Sequence, residues 1–292
     1  RRITPMLKDL LDAFFQQHHK ELTQNYPGIN LFILQRFANS YLLKNQSSLS
    51  LKRKLRPFLN DVQNGIPFEY IIGEAFFYNS PFITSTKTLI PRNETEELVE
   101  LGRAALLEKI KKTTAPLKIA DIGVGTGNIF ISLLQGIDHP FIVTCSDIQD
   151  DILNVAKKNF FRLRYTLTKD IRVNFVQSDR MNNIKGQFDL IITNPPYIDQ
   201  KDDDSLVHQQ VKKHEPHSAL YYPPEKAAYY DWFHHFLKDC YNALLSGGIF
   251  LMEGHENHLD NIKTDAHSLG FKNLEVINDL CHKKRILIGK KE

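Results

Sequence analysis

An apolar strand that runs through spaced glycines into an apolar helix constrains this chain more than any other stretch. Leu117-Lys-Ile-Ala-Asp121 leads into Ile122-Gly123-Val124-Gly125-Thr126-Gly127-Asn128, and Ile129 to Leu134 continues as an apolar helix. Such a turn lets a ligand approach the backbone, with helix N–H groups facing it. The spacing differs from the dinucleotide fingerprint, because G-x-G-x-x-G needs a glycine where Asn128 stands. Glycines at 123, 125 and 127 behind Asp121 suit a ligand without a pyrophosphate. A second strand, Phe141 to Cys145, ends at Asp147, 24 residues after Gly123. A carboxylate there can accept both hydroxyls of a ribose. Capping a helix over 149–160 is a compatible second role.

A third apolar run, Phe188 to Thr193, delivers Asn194-Pro195-Pro196-Tyr197 to its carboxyl end. Two consecutive prolines fix two φ angles and remove two backbone donors, which leaves carbonyls free. The Asn194 side-chain oxygen and the Pro195 carbonyl can accept the two N–H bonds of a planar group carrying NH2, while Tyr197 packs on its face. A glycine loop, a ribose acid and an amide clamp in this order read as a class I S-adenosylmethionine-dependent methyltransferase.

From residue 115 strands alternate with helices. Strands are expected at 117–121, 140–146, 171–177, 187–193, 249–253, 271–276 and 284–289. The expected fold class is α/β, a Rossmann-like doubly wound seven-stranded sheet with ligands beyond the carboxyl ends of its strands. Ser246-Gly247-Gly248 reads as a helix stop and turn. Before this region, apolar residues at helical spacing (Leu7, Leu11 and Phe15; Leu31, Leu34 and Ala38; Leu55, Phe58 and Val62) mark a small helical module, interrupted by Asn25, Pro27 and Gly28. Tyr70 to Gly73 and Phe76 to Tyr78 look β-rich around a turn at Asn79-Ser80-Pro81. The division expected is 1–65 for an N-terminal helical substrate-docking domain, 66–93 for a β-hairpin linker and 94–292 for the methyltransferase domain.

Composition narrows the partners. The chain has 292 residues, 42% hydrophobic and 24% charged, enough for a sizeable core and two domains. Its net charge of +3 does not announce nucleic acid. The acidic run Asp202-Asp203-Asp204 and the basic clusters 52–54 and 283–285 read as solvated faces. Three separated cysteines form no C-x-x-C pair, which fits a reducing, cytoplasmic setting with neither disulfides nor zinc. No apolar run reaches membrane-span length and no signal peptide is visible. The opening Arg1-Arg2 without methionine is compatible with a start further upstream.

Several stretches resemble the PrmC/HemK-type glutamine N5-methyltransferases of peptide chain release factors. Phe68 to Tyr78 looks like that family's interdomain hairpin, and Leu89-Ile-Pro-Arg-Asn-Glu-Thr-Glu-Glu-Leu-Val-Glu100 is similar to its linker signature. Asp121 to Gly127 matches its cofactor loop, Gln177-Ser178-Asp179 a later cofactor-side stretch, and Asn194 to Tyr197 its substrate clamp. Glu215 to Leu220 resembles a following loop. The chain departs at Asn93 (usually proline), Arg180 (usually aromatic or apolar), Tyr221 to Glu225 (usually glycine-rich) and His282 (usually glycine).

The resemblance implies S-adenosylmethionine as cofactor, held by Asp121, Gly123, Val124, Gly125, Thr126, Gly127, Asp147, Asp179, Arg180 and Asn194. It implies the Gly-Gly-Gln glutamine of release factors as substrate, held by Asn194, Pro195, Pro196 and Tyr197, with Asn194, Pro195 and Tyr197 catalytic. No metal, membrane or direct nucleic-acid partner is expected, and a monomer is. Rival readings are a ribosomal-protein glutamine methyltransferase, an adenine N6-methyltransferase, whose target is also an sp2 nitrogen with two N–H bonds, and a binding protein that has lost catalysis.

Overall fold

The computed structural model describes residues 4–292. Three helices, α1 (Pro5–Asn25), α2 (Leu31–Lys44) and α3 (Leu51–Gln63), close on a core that includes Leu11, Leu22, Leu34, Phe58 and Val62. Their starts follow from local chemistry. Thr4 Oγ1 accepts from the Leu7 N–H at 3.3 Å, and Asn30 Oδ1 accepts from the Ile33 N–H at 3.0 Å, each satisfying a donor with no partner inside the helix. The Tyr26 hydroxyl donates to the carbonyls of Val62 and Ile66, tying the end of α1 to the segment after α3.

The β-rich reading of Tyr70 to Gly73 is corrected here. These residues finish a short helix, α4 (Phe68–Ile72), which ends at Gly73 with a left-handed φ of 71°. Phe68 explains the difference: it stacks on Phe37 with ring centroids 4.2 Å apart, and that tertiary contact overrides the β preference of its neighbours. The hairpin of β1 (Glu74–Phe77) and β2 (Ser80–Ile83) turns one position earlier than expected, through Tyr78 and Asn79 at φ 45° and 62°. That is the paired left-handed geometry of a two-residue hairpin loop, so Ser80 and Pro81 already belong to β2.

The rest of the chain builds one sheet. In order come α5 (Thr95–Ile110), β3 (Leu117–Ile122), α6 (Asn128–Leu134), β4 (Phe141–Asp147), α7 (Asp150–Leu163), β5 (Ile171–Gln177) and β6 (Phe188–Thr193). Two short helices, α8 (Gln209–His214) and α9 (His217–Leu220), precede α10 (Tyr229–Ala243), β7 (Leu244–Glu253), α11 (Leu259–Ser268), β8 (Lys272–Asn278) and β9 (Lys284–Lys290). The seven strands lie in the order β5-β4-β3-β6-β7-β9-β8, parallel except for β9, which runs against both neighbours. One apolar layer, with Leu98, Phe130 and Leu133, covers one face. The other face carries Trp232, Phe233, Phe236 and Phe271.

Ser246-Gly247-Gly248 does not form a free turn; it is taken into β7 as a bulge. Leu244 pairs with Phe188 and Ile249 with Leu190, so residues 245–248 stand against Asp189 alone. Gly247 has φ 73°, and a Cβ on Gly248 would lie 2.7 Å from the Leu245 carbonyl. Glycine alone fits that excursion.

Register places the site. Ile122 lies beside both Ser146 and Thr193. The chain therefore leaves β3, β4 and β6 at one level, bringing Gly123, Asp147 and Asn194 to one edge. Among the described residues no helix is long and apolar enough to cross a membrane.

Candidate active site

A cavity of about 400 Å³ opens at this edge, lined by residues of the glycine loop, by Asp147 and Ile148, by Ser178 to Arg180 and by Asn194 to Pro196. The three loop glycines adopt φ of 74°, 53° and 81°, but they do different work. A Cβ on Gly123 or Gly125 would meet nothing closer than 3.8 Å, so both face open space. At Gly127 it would lie 3.0 Å from Phe130 and 3.5 Å from the Ala156 backbone. Gly127 is a packing glycine and does not line the cavity, whereas Gly123, Val124, Gly125 and Thr126 do.

Asp147 braces the loop. Its Oδ2 accepts from the Gly125 N–H at 3.0 Å and its Oδ1 from the Ile148 N–H at 2.8 Å. Burial pushes its pKa up, and the backbone donors only partly offset that. Asp121 lies deeper, fully buried beneath the loop and off the cavity wall. Its Oδ2 accepts from the Phe130 N–H at 3.1 Å, and its Oδ1 has no partner among the described residues. Burial lifts its pKa to about 7, with the Asp147 charge adding to the rise.

Asn159 on α7 fastens the loop from behind. Its amide donates to the carbonyls of Thr126 (2.8 Å) and Ile83 (2.9 Å), and its oxygen accepts from the Ile83 N–H (2.7 Å). The β1–β2 hairpin and the glycine loop are thereby joined through one buried side chain. On the opposite rim Asp179 accepts from Lys226 Nζ at 2.7 Å. Arg180, at φ 52°, stacks its guanidinium 5.2 Å from the Trp232 ring centroid.

A second cavity, of about 230 Å³, lies on the other side of Asn194 and Pro195, which wall both. Arg92, Tyr197, Asp203, His255 and Arg285 line it. Pro196 belongs to the first cavity and Tyr197 to the second. No donor meets the Pro195 carbonyl or Asn194 Oδ1 among the described residues.

The orientation of Asn194 is set by a buried acid that the sequence reading missed. Glu253, at the carboxyl end of β7 and 1% exposed, accepts from the Thr95 hydroxyl at 2.6 Å through Oε2 and from the Tyr197 hydroxyl at 3.1 Å through Oε1. The Thr95 proton being committed to Glu253, its oxygen accepts from Asn194 Nδ2 at 3.2 Å. The chain of donors thus turns the Asn194 amide nitrogen inward and leaves its oxygen outward. Burial raises the Glu253 pKa, with Thr95, Arg285 and Tyr197 only partly opposing it, and burial beside Glu253 raises that of Tyr197. Arg92 Nη2 pairs with Glu215 Oε1 at 2.5 Å, and Glu215 Oε2 accepts from the Ile90 N–H at 3.2 Å. That pair holds the segment before α5 against the one before α9. Glu253 carried one usable signal, its place at a strand's carboxyl end in an α/β sheet.

One further expectation is corrected. The run 202–204 is not uniformly solvated: Asp203 is 2% exposed and accepts from His258 Nε2 at 2.8 Å, while Asp204 accepts from Lys212 and the Tyr221 hydroxyl.

A seven-stranded sheet with one reversed strand, open at its carboxyl edge over a glycine loop, defines an S-adenosylmethionine-dependent methyltransferase. The model of the methyltransferase small domain family matches residues 95–218. The release factor glutamine methyltransferase of Haemophilus influenzae is 31% identical, over 82% of this chain and 80% of its own length. That of Leptospira interrogans is 31% identical over 89% and 86%. The chain belongs to the release factor glutamine methyltransferase family.

Proposed function

We propose that this chain transfers a methyl group from S-adenosylmethionine to the side-chain amide nitrogen, N5, of the glutamine in the Gly-Gly-Gln motif of peptide chain release factors. The observation that carries this reading is the Asn194-Pro195 corner, which separates two cavities and presents unpaired acceptors where they meet. The relatives' name, release factor glutamine methyltransferase, supports the substrate.

The first cavity suits the cofactor. Open space over Gly123 and Gly125 leaves room for a methionine chain, Asp147 stands ready to accept from a ribose diol, and Ile148, 45% exposed, offers an apolar face to a flat base. Bound there, the cofactor supplies an electrophilic methyl group on a sulfonium. Asp121 serves the loop from beneath rather than by direct contact. Arg180 and Asp179 form the far wall, Arg180 held on Trp232 and Asp179 by Lys226.

The second cavity takes the glutamine. An amide nitrogen is a weak nucleophile because its lone pair is delocalised into the carbonyl. Asn194 Oδ1 and the Pro195 carbonyl accept its two N–H bonds, raise electron density on nitrogen and stabilise the positive charge that develops as the methyl arrives. Tyr197, its hydroxyl held by Glu253, walls the cavity and keeps the amide plane in line with the transfer. A strong base is not required, since the methylated nitrogen is acidic and loses its proton late. The test is transfer by Asn194→Ala, in which cofactor affinity stays while methylation is lost. Undiminished turnover would remove the clamp from the mechanism.

A further inference from the structure

On the wall of the second cavity sits a cluster to which the proposed methyl transfer assigns no chemical step. We propose that Asp203, His255 and His258 bind one divalent transition-metal ion, zinc by preference. One ligand atom from each residue lies within 4.8 Å of the other two. His258 Nε2 is 2.8 Å from Asp203 Oδ2, and His255 Nδ1 is 3.8 Å from Asp203 Oδ1. Three ligands at ordinary zinc bond lengths in a tetrahedron stand about 3.4 Å apart, between these two separations, each of which runs to a different oxygen of Asp203. An ion would replace the proton that His258 Nε2 donates. The side chains are 3% exposed for Asp203 and 12% for each histidine.

Both histidines face Asp203 through a ring nitrogen. His255 Nδ1 accepts from the Asn257 N–H at 3.3 Å, a long bond that a metal ion would replace. Asp203 Oδ1 faces the same nitrogen.

The surroundings already orient the ligands. Asn257 Nδ2 donates to Asp203 Oδ1 at 3.3 Å, the Asp199 N–H donates to Oδ2 at 3.3 Å, and the Tyr230 hydroxyl meets His258 Nδ1 at 3.0 Å. The nearby Arg285 charge is engaged by Asp279 at 3.1 Å. Two imidazoles and one carboxylate select zinc-like ions over magnesium or calcium, which want oxygen donors. The ion would staple the loop after the clamp to the segment before α11.

The test needs neither cofactor nor substrate, so it stands apart from the methylation assay. The tag-free chain, stripped with EDTA, is titrated with Co²⁺ and followed by visible absorption. We expect one equivalent bound with the intense bands of a low-coordinate site, displaced by one equivalent of Zn²⁺. His258→Gln and His255→Gln should each weaken binding by about 100-fold or more. His234→Gln, whose ring pairs with Asp265 elsewhere, should leave it unchanged. No stoichiometric binding by the unaltered chain, or the same titration in whichever cluster variant folds, would overturn the proposal.

Discussion

At the scale of single residues, the clamp depends on which way one amide faces. Thr95→Val removes the hydroxyl that receives Asn194 Nδ2 while keeping the side chain's volume, so Asn194 can turn its oxygen away. The expected result is a fall in kcat of about tenfold or more with little change in cofactor affinity, restored by Thr95→Ser. A Thr95→Val enzyme of full kcat would show that the lock is not needed. For Asp147→Ala, calorimetry should record cofactor binding weakened by about 1–3 kcal/mol, the range for a lost charge-assisted hydrogen bond.

Asp121 yields a pH prediction. Its folded pKa, about 7, lies above the unfolded value of about 3.9. Its contribution to stability is therefore complete below about pH 4 and is lost as pH rises through about 7. Asp147 and Glu253, also shifted upward, act in the same direction. The Tm of the ligand-free protein should fall between pH 5 and pH 8. Asp121→Asn, which keeps an acceptor for the Phe130 N–H, should flatten that slope, and an unaltered slope would contradict the assignment.

At the scale of elements, the sheet was legible because its strands are short apolar runs ended by glycine, proline or acid. Gly123, Asp147 and Asn194 could be placed at strand ends from spacing alone, and parallel register brought them together. Three things were hidden. Phe68 turns a β-rich stretch into helix through a stack on Phe37, a contact no local window contains. Residues 246–248 look like any glycine turn, and only pairing with β6 makes them a bulge. Glu253 touches Thr95 across 158 residues of chain, so its link to the clamp exists only in three dimensions. His282 shows the converse: standing where the resembled family usually has glycine, it sits at φ 62°, the left-handed conformation that glycine adopts without strain. His282→Gly should accordingly be tolerated or mildly stabilising, measurable as an equal or higher Tm.

At the scale of the whole molecule, the helical module touches α8, whose Val211 lines the second cavity. Gln210 of α8 donates to the Gly65 carbonyl at 2.9 Å. We propose that the module docks the protein substrate and passes the glutamine toward the clamp. Phe58, buried at its centre, offers a way to loosen it: Phe58→Ala should cost the module about 3–5 kcal/mol. Hydrogen exchange should show protection lost from α1–α3 and kept in β3 and β4. The KM for a whole release factor should then rise more than that for a Gly-Gly-Gln peptide. Equal rises would remove the docking role.

Methyl transfer to the release factor is decided by mass spectrometry of a purified release factor incubated with this protein and S-adenosylmethionine. One methyl group should be added, on the glutamine of Gly-Gly-Gln, and none when Asn194→Ala replaces the enzyme. An unmodified glutamine from a protein shown to bind the cofactor, or a methyl group on another residue, would contradict it.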